Sequence, residues 1–221
     1  LVGSEMCIRD RFICVCILFS LLSCSSSEKE QLETALAFAD TNRAELEKVL
    51  EYYKNDSLKL KAAIYLIENM PLYYTYKGSD LDSLHIALEQ YAVSDSYDKH
   101  LEYLKRFPYR NLFKEYDAKV ITSEYLIENI EYSFKVWRET PWGKYVSFDN
   151  FCEFILPYRI KDEPLTHWKK DFYHRFKPVL DSLYQGTDVV EATSCLSNYA
   201  TSLHWKYQNE LTGPHLSAQL L

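Results

Sequence analysis

A cysteine nucleophile needs three things: a thiolate, a histidine to take its proton, and a group that orients the histidine. The chain holds six cysteines and six histidines. Cys152 is the cysteine with the most functional-looking surroundings, among Trp142, Glu153, Tyr158 and Arg159. It falls, however, in the helical pattern of Phe151, Phe154 and Ile155, and no glycine precedes it. A small cysteine on an apolar helix face is common packing. Cys195 has neither a helix N-terminus nor a basic neighbour to lower its pKa. The reading therefore assigns no catalytic residue. The histidines (His85, His100, His167, His174, His204 and His215) are dispersed. His167 and His174 are spaced to share a helix face, but CxxC and HExxH are absent from the sequence. No metal and no other cofactor is expected.

Binding is the other chemistry on offer. Nineteen tyrosines and four tryptophans are many for 221 residues. Tyr74, Trp142 and Tyr158 fall in expected loops, where an exposed ring can stack on a sugar or a peptide side chain. The competing role is helix packing with the hydroxyl at the rim, because most tyrosines lie on helical stripes. Arg159 stands with Glu153, Asp162 and Glu163 around one of these loops. It can clamp a ligand carboxylate with two parallel hydrogen bonds, or tie the loop to the preceding long helix through a salt bridge. Trp142, Tyr158, Arg159 and Tyr74 are the candidates for a substrate wall or binding surface.

The elements that must carry these residues read as helices. Only five glycines punctuate the chain, and apolar residues recur at helical spacing. Asn42-Arg43-Ala44-Glu45 has the form of a capping box, followed by the stripe Leu46, Val49, Leu50 and Tyr53. A second helix spans about Ser57 to Asn69 and stops before Pro71, after which Leu72 to Tyr76 is a loop. A third uses Leu81, Leu84, Leu88 and Tyr91, and a shorter fourth Tyr97, Leu101 and Leu104. Phe107 to Asp117 is a loop, because Pro108 disfavours helical angles at Phe107. A long helix covers about Ala118 to Glu139, with Ile127, Ile130, Phe134 and Trp137 in register. Ser147 caps a helix of about Phe148 to Leu156, ended by Pro157, and Pro157 to Pro164 is a loop. Leu165 to Tyr184 is helical with a kink at Pro178, and Asp188 caps a last helix carrying Leu196, Tyr199 and Leu203. The expected fold is mainly α: an array or bundle of about seven to eight helices with short loops and little or no sheet. Tyr65-Leu66-Ile67-Glu68-Asn69 recurs as Tyr125-Leu126-Ile127-Glu128-Asn129, which reads as reuse of a good helical pentamer rather than a repeat array.

The ends of the chain read differently. Residues 1–11, with Glu5-Met6-Cys7-Ile8-Arg9-Asp10-Arg11, look like a translated sequencing adapter and are set aside. Phe12 to Leu22 is an apolar run that covers about 16 Å as a helix, roughly half a bilayer core, which is signal-peptide length. It ends in Leu21-Leu22-Ser23-Cys24, the pattern of a lipoprotein signal peptide over 12–23 with Cys24 as the lipidated residue. Residues 24–30 then form a solvated tether, 31–212 a helical domain, and 213–221 the start of a truncated following domain, with Pro214 in a first-turn position. The expected location is the bacterial cell envelope, with the chain held on a membrane by the lipid on Cys24. The net charge is −7. Losing the leader leaves it unchanged, since Glu5 and Asp10 balance Arg9 and Arg11. That charge argues against nucleic acid as a partner.

Trp137 to Trp168 packs three tryptophans and three prolines into one stretch: WRETPWGKYVSFDNFCEFILPYRIKDEPLTHW. Together with Asn42 to Leu50, Tyr65 to Pro71 and Pro214 to Leu221, it resembles the region that precedes the catalytic core in bacterial transglutaminase-like lipoproteins. Order and spacing carry this resemblance, over about Asp40 to Leu221. It implies a helical region leading into a papain-like core that would supply a Cys-His-Asp triad beyond Leu221, for chemistry of the cysteine-peptidase or amide-transfer type. In that family the nucleophile opens a helix after a glycine-containing turn, so its role does not transfer to Cys152. Two functions are expected from this: a non-catalytic helical region of an envelope-anchored protein, or a surface lipoprotein whose loop aromatics hold a glycan or peptide.

Overall fold

The computed structural model describes residues 29–81, 111–159 and 164–204. Among them the fold is mainly α-helical with one small two-stranded sheet, as the periodicity predicts. A helix over 29–38 (α1) is followed by α2 (Arg43–Tyr52) and α3 (Ser57–Asn69). The strands are β1 (Tyr74–Lys77) and β2 (Phe113–Tyr116). After them come the long α4 (Ser123–Glu139), a short α5 (Phe148–Asn150, continued by the π turn Phe151–Ile155), then α6 (Trp168–Leu183) and α7 (Val189–His204). Cys24 and the leader, most of the expected third helix, the fourth, Asp162 and Glu163, and the segment after residue 204 lie outside the described residues.

Caps explain most of the boundaries. Asp56 Oδ1 accepts from Lys59 N at 3.2 Å and starts α3. Thr122 Oγ1 accepts from Tyr125 N and starts α4, five residues later than the sequence pattern places it. The intervening Asp117–Lys119 is a 3-10 turn. Asp188 Oδ1 caps α7 by accepting from Val190 N and Glu191 N, the cap its position predicts. Asn42 is different. Its side chain makes no cap; its Nδ2 donates to Ala118 O and Ile121 O, at 3.0 and 2.8 Å. Glu45, the other half of the expected box, accepts from Ser123 N and Oγ. Both groups tie α2 to the entry of α4 instead of closing their own helix.

Two expected loops contain strands. Tyr74 to Lys77 pairs antiparallel with Phe113 to Tyr116, Tyr74 opposite Tyr116 and Lys77 opposite Phe113. Short, tyrosine-rich and half-exposed, these segments lack a clean alternation, so pairing rather than local pattern makes them strands. Gly78 leaves β1 at φ +143°, where an added Cβ would sit 1.9 Å from Asn111 O.

The core lies between α2, α3 and α4. Leu46, Val49 and Tyr53 meet Ala62, Ala63, Leu66 and Ile67, and both sets pack on Leu126, Ile130 and Phe134. The stripe of α4 also buries Asn129 and Ser133, because this helix faces α5 and α6 as well. Lys59 of α3 bonds both carboxylate oxygens of Glu131, which also accepts from Tyr53 Oη, so the three helices share one polar tie.

Candidate functional site

The described part of the Trp137–Trp168 stretch, 137–159 and 164–168, forms a locked strap. Trp137 stacks on Phe151 (centroids 4.3 Å, 21° between planes), and its Nε1 donates to Gly143 O at 2.9 Å. Gly143 passes so close that an added Cβ would meet Trp137 O at 1.7 Å. Ser147 Oγ accepts from Asn150 N and starts α5 as its position predicts. That helix is one α turn, Phe148–Asn150, running into a π turn, Phe151–Ile155. Its last bond runs five residues back, from Leu156 N to Phe151 O at 2.9 Å.

Widening the turn leaves carbonyls without helical partners, and one side chain collects them. Lys169 Nζ donates to Ile155 O, Leu156 O and Pro157 O at 2.7, 3.1 and 3.0 Å, and lies 2.7 Å from Ser133 Oγ. Its stem is half-exposed while its head is enclosed. Burial holds its pKa well below the usual lysine range. The four oxygens act the other way, as acceptors for the charged form. This lysine serves as the C-terminal cap of α5, and its nitrogen is not presented to solvent.

Past Pro157 the strap crosses to the sheet. Arg159 Nη1 donates to Tyr74 O at 2.6 Å, Nη2 lies 2.5 Å from Thr75 Oγ1, and Nε stands 3.2 Å from Asp117 Oδ2. Tyr158 Oη donates to the same Asp117 oxygen at 3.0 Å. Burial pushes the Asp117 carboxyl up to about 6, with Arg159 and Tyr158 pulling the other way. Tyr125 Oη donates to Thr166 O, and Trp168 Nε1 donates to Tyr158 O, at 2.9 and 2.8 Å.

The candidates are therefore distributed unevenly. Arg159 does hold a carboxylate, but an internal one, and it ties its loop to β1 and the Asp117 turn rather than to the long helix. Tyr158 lies in a loop as expected, yet at 2% exposure its ring is sealed in the core and offers no face for stacking. Tyr74 is half-buried, its ring covered by Lys114 at 4.0 Å and flanked by Tyr76 and Tyr116. Trp142 is half-buried in the turn after α4, apart from the other three. Cys152 is buried, and its thiol is pushed up to about 11 by burial and by Asp149. His167 and His174 both face α4, but His167 meets Glu128 and His174 meets Tyr132. Among the described residues no group of His, Cys, Asp or Glu is arranged to hold a metal ion, and no helix is long and apolar enough to cross a membrane.

Beside the strap is a cleft with room for about 130 Å³, bounded by α3 on one side and by Glu153 and Pro157 to Arg159 on the other. Tyr65, Asn69 and Tyr73 line it. Sequence reading places Tyr73 among the loop aromatics of Leu72 to Tyr76 but passes over Tyr65 and Asn69, which look like ordinary helix-face residues. Their only available signal is the i, i+4 spacing of Tyr65 and Asn69, which places both on one face of α3.

Fold and site together define a mainly helical domain whose aromatic-rich strap is bolted to a small two-stranded sheet and flanks a polar cleft. Comparison with protein-family models, curated proteins and solved structures finds no match to this chain.

Proposed function

We propose that this chain is the non-catalytic helical region of an envelope-anchored, transglutaminase-like protein, lipidated at Cys24, whose Cys-His-Asp core lies beyond Leu221. The order and spacing of the resembling motifs motivate the reading. The observation that carries it is the state of Cys152, the cysteine of the Trp137–Trp168 stretch. It is buried on a π turn with its thiol pushed up to about 11, which is the opposite of what a nucleophile needs. The strap then has a mechanical role: its tryptophans, Lys169 and Arg159 fix the surface on which a following core would rest. Sequencing the source gene past the Leu221 codon tests this. The expected frame continues into a glycine-containing turn followed by a cysteine, with histidine and aspartate further on; a stop codon at or close after Leu221 overturns it.

The cleft favours a second reading, a surface lipoprotein that holds a glycan or peptide. Aromatic rings and polar groups face open space together there, beside the strap. A glycan and peptide array probed with the full chain is expected to give saturable binding; a blank array rejects this reading.

A further inference from the structure

Most polar side chains around the strap are consumed by the fold, and those of the cleft are not. Asn69 Nδ2 donates to Tyr65 O in its own helix, which leaves its Oδ1 facing outward with no bond within the described residues. The hydroxyls of Tyr65 and Tyr73 and the carboxylate of Glu153 likewise have no hydrogen-bond or ion-pair partner among the described residues. These groups lie close together along the cleft: burial, with Cys152, Tyr73 and Glu153 nearby, holds the Tyr65 hydroxyl above the usual tyrosine pKa. Polar groups with no protein partner, gathered in a concave, aromatic-walled site, are open to a ligand that can hydrogen-bond to them.

Charge narrows the class. An anion would need a free cation, and the guanidinium at the cleft, Arg159, is already committed to Tyr74, Thr75 and Asp117. A cation would find Glu153, but that carboxylate is exposed and its single charge is screened by solvent, so it selects weakly for a cation. What remains is a neutral ligand that brings hydroxyl donors at its edge and C–H groups on its faces. Carboxylate and carboxamide oxygens accept from hydroxyls, and phenol rings pack against C–H faces.

We infer that the cleft binds one neutral sugar unit of a glycan, with Tyr65 and Tyr73 as its walls and Asn69 and Glu153 as acceptors for its hydroxyls. This rests on the second reading above and assigns it a subsite, a ligand class and contact residues. Trp142 and Tyr74, which the sequence singles out, are outside that subsite.

The test is a titration of the full chain, followed by NMR, with the methyl glycosides of glucose, galactose and N-acetylglucosamine, and with putrescine and succinate as charged probes. At least one glycoside is expected to bind in the millimolar range. Y65F and E153Q are each expected to weaken it about three- to tenfold, the loss of one hydrogen bond, with W142A unchanged and circular dichroism confirming the fold of each variant. Binding of putrescine or succinate alone overturns the sugar assignment and leaves a binding surface standing. Glycoside binding that survives both E153Q and Y65F overturns the subsite. Silence from every probe overturns the inference, while the reading beneath it falls only if the glycan and peptide array is also blank.

Discussion

Arg159 and Asp117 form an ion pair in the interior, Nε to Oδ2 at 3.2 Å, with side chains 2% and 1% exposed. The pair, together with the Tyr158 Oη bond to the same oxygen, joins the strap to the turn that follows β2. Breaking a buried pair strands the partner charge, which costs about 3–5 kcal/mol. Arg159→Met is therefore expected to lower the unfolding free energy by about that amount, read from denaturant titration. A loss near zero means the strap is not locked through this contact.

Asp117 also gives a pH dependence with a definite sign. Its folded pKa, about 6, lies above the roughly 3.9 of an unfolded aspartate. The folded state therefore binds its proton more readily. This term stabilises fully below the unfolded value and is lost as pH rises through about 6. Relative to Asp117→Asn, the unmodified protein is expected to gain stability as pH falls from 7 to 4. Parallel stability curves across that range contradict it.

Lys169 satisfies three carbonyls and approaches one hydroxyl at the end of the π turn. Lys169→Met keeps the stem and removes every donor, so the buried acceptors lose their partners at about 1–3 kcal/mol each before relaxation. A total loss of at least about 3 kcal/mol is expected. Faster hydrogen exchange should appear first at Leu156 N, whose bond closes the turn.

Asn42 separates two roles by substitution. Serine caps a helix about as well as asparagine, but it has no amide to reach Ala118 O and Ile121 O. Were Asn42 a cap, Asn42→Ser would be neutral. The observed geometry predicts a loss of about 1–2 kcal/mol from two side-chain to backbone bonds, measured by thermal or denaturant unfolding.

The thiol of Cys152 is expected to resist alkylation at pH 8 in the folded protein and to react once unfolded. Iodoacetamide labelling followed by peptide mass mapping checks this, with half-buried Cys195 as the internal comparison. Rapid native labelling of Cys152 would return it to the list of nucleophiles and count against the proposed non-catalytic role.

Much of the fold was legible without coordinates. The mainly helical class, the bounds of α3, the Ser147 and Asp188 caps and the buried stripe of α2 follow from spacing and cap chemistry, which act within a few residues. The two-stranded sheet was not legible, because Tyr74–Lys77 and Phe113–Tyr116 become strands only by meeting each other. The cleft was not legible either, since Tyr65, Asn69, Tyr73 and Glu153 come from three separate segments. Arg159 showed its chemistry in sequence, a guanidinium suited to a carboxylate, but not which carboxylate.

The repeated pentamer marks the boundary between the two kinds of information. Tyr65–Asn69 and Tyr125–Asn129 have the same five residues, and both are helical, as local propensity and periodicity require. Their ends differ. Asn69 Nδ2 returns to Tyr65 O in its own helix, while Asn129 Nδ2 reaches Leu156 O, 27 residues away, inside the core. The sequence alone determined that these stretches are helices, because that depends on neighbours along the chain. Only the tertiary structure decided which faces a cleft and which holds the strap, because a polar side chain bonds to whatever packing brings within about 3 Å.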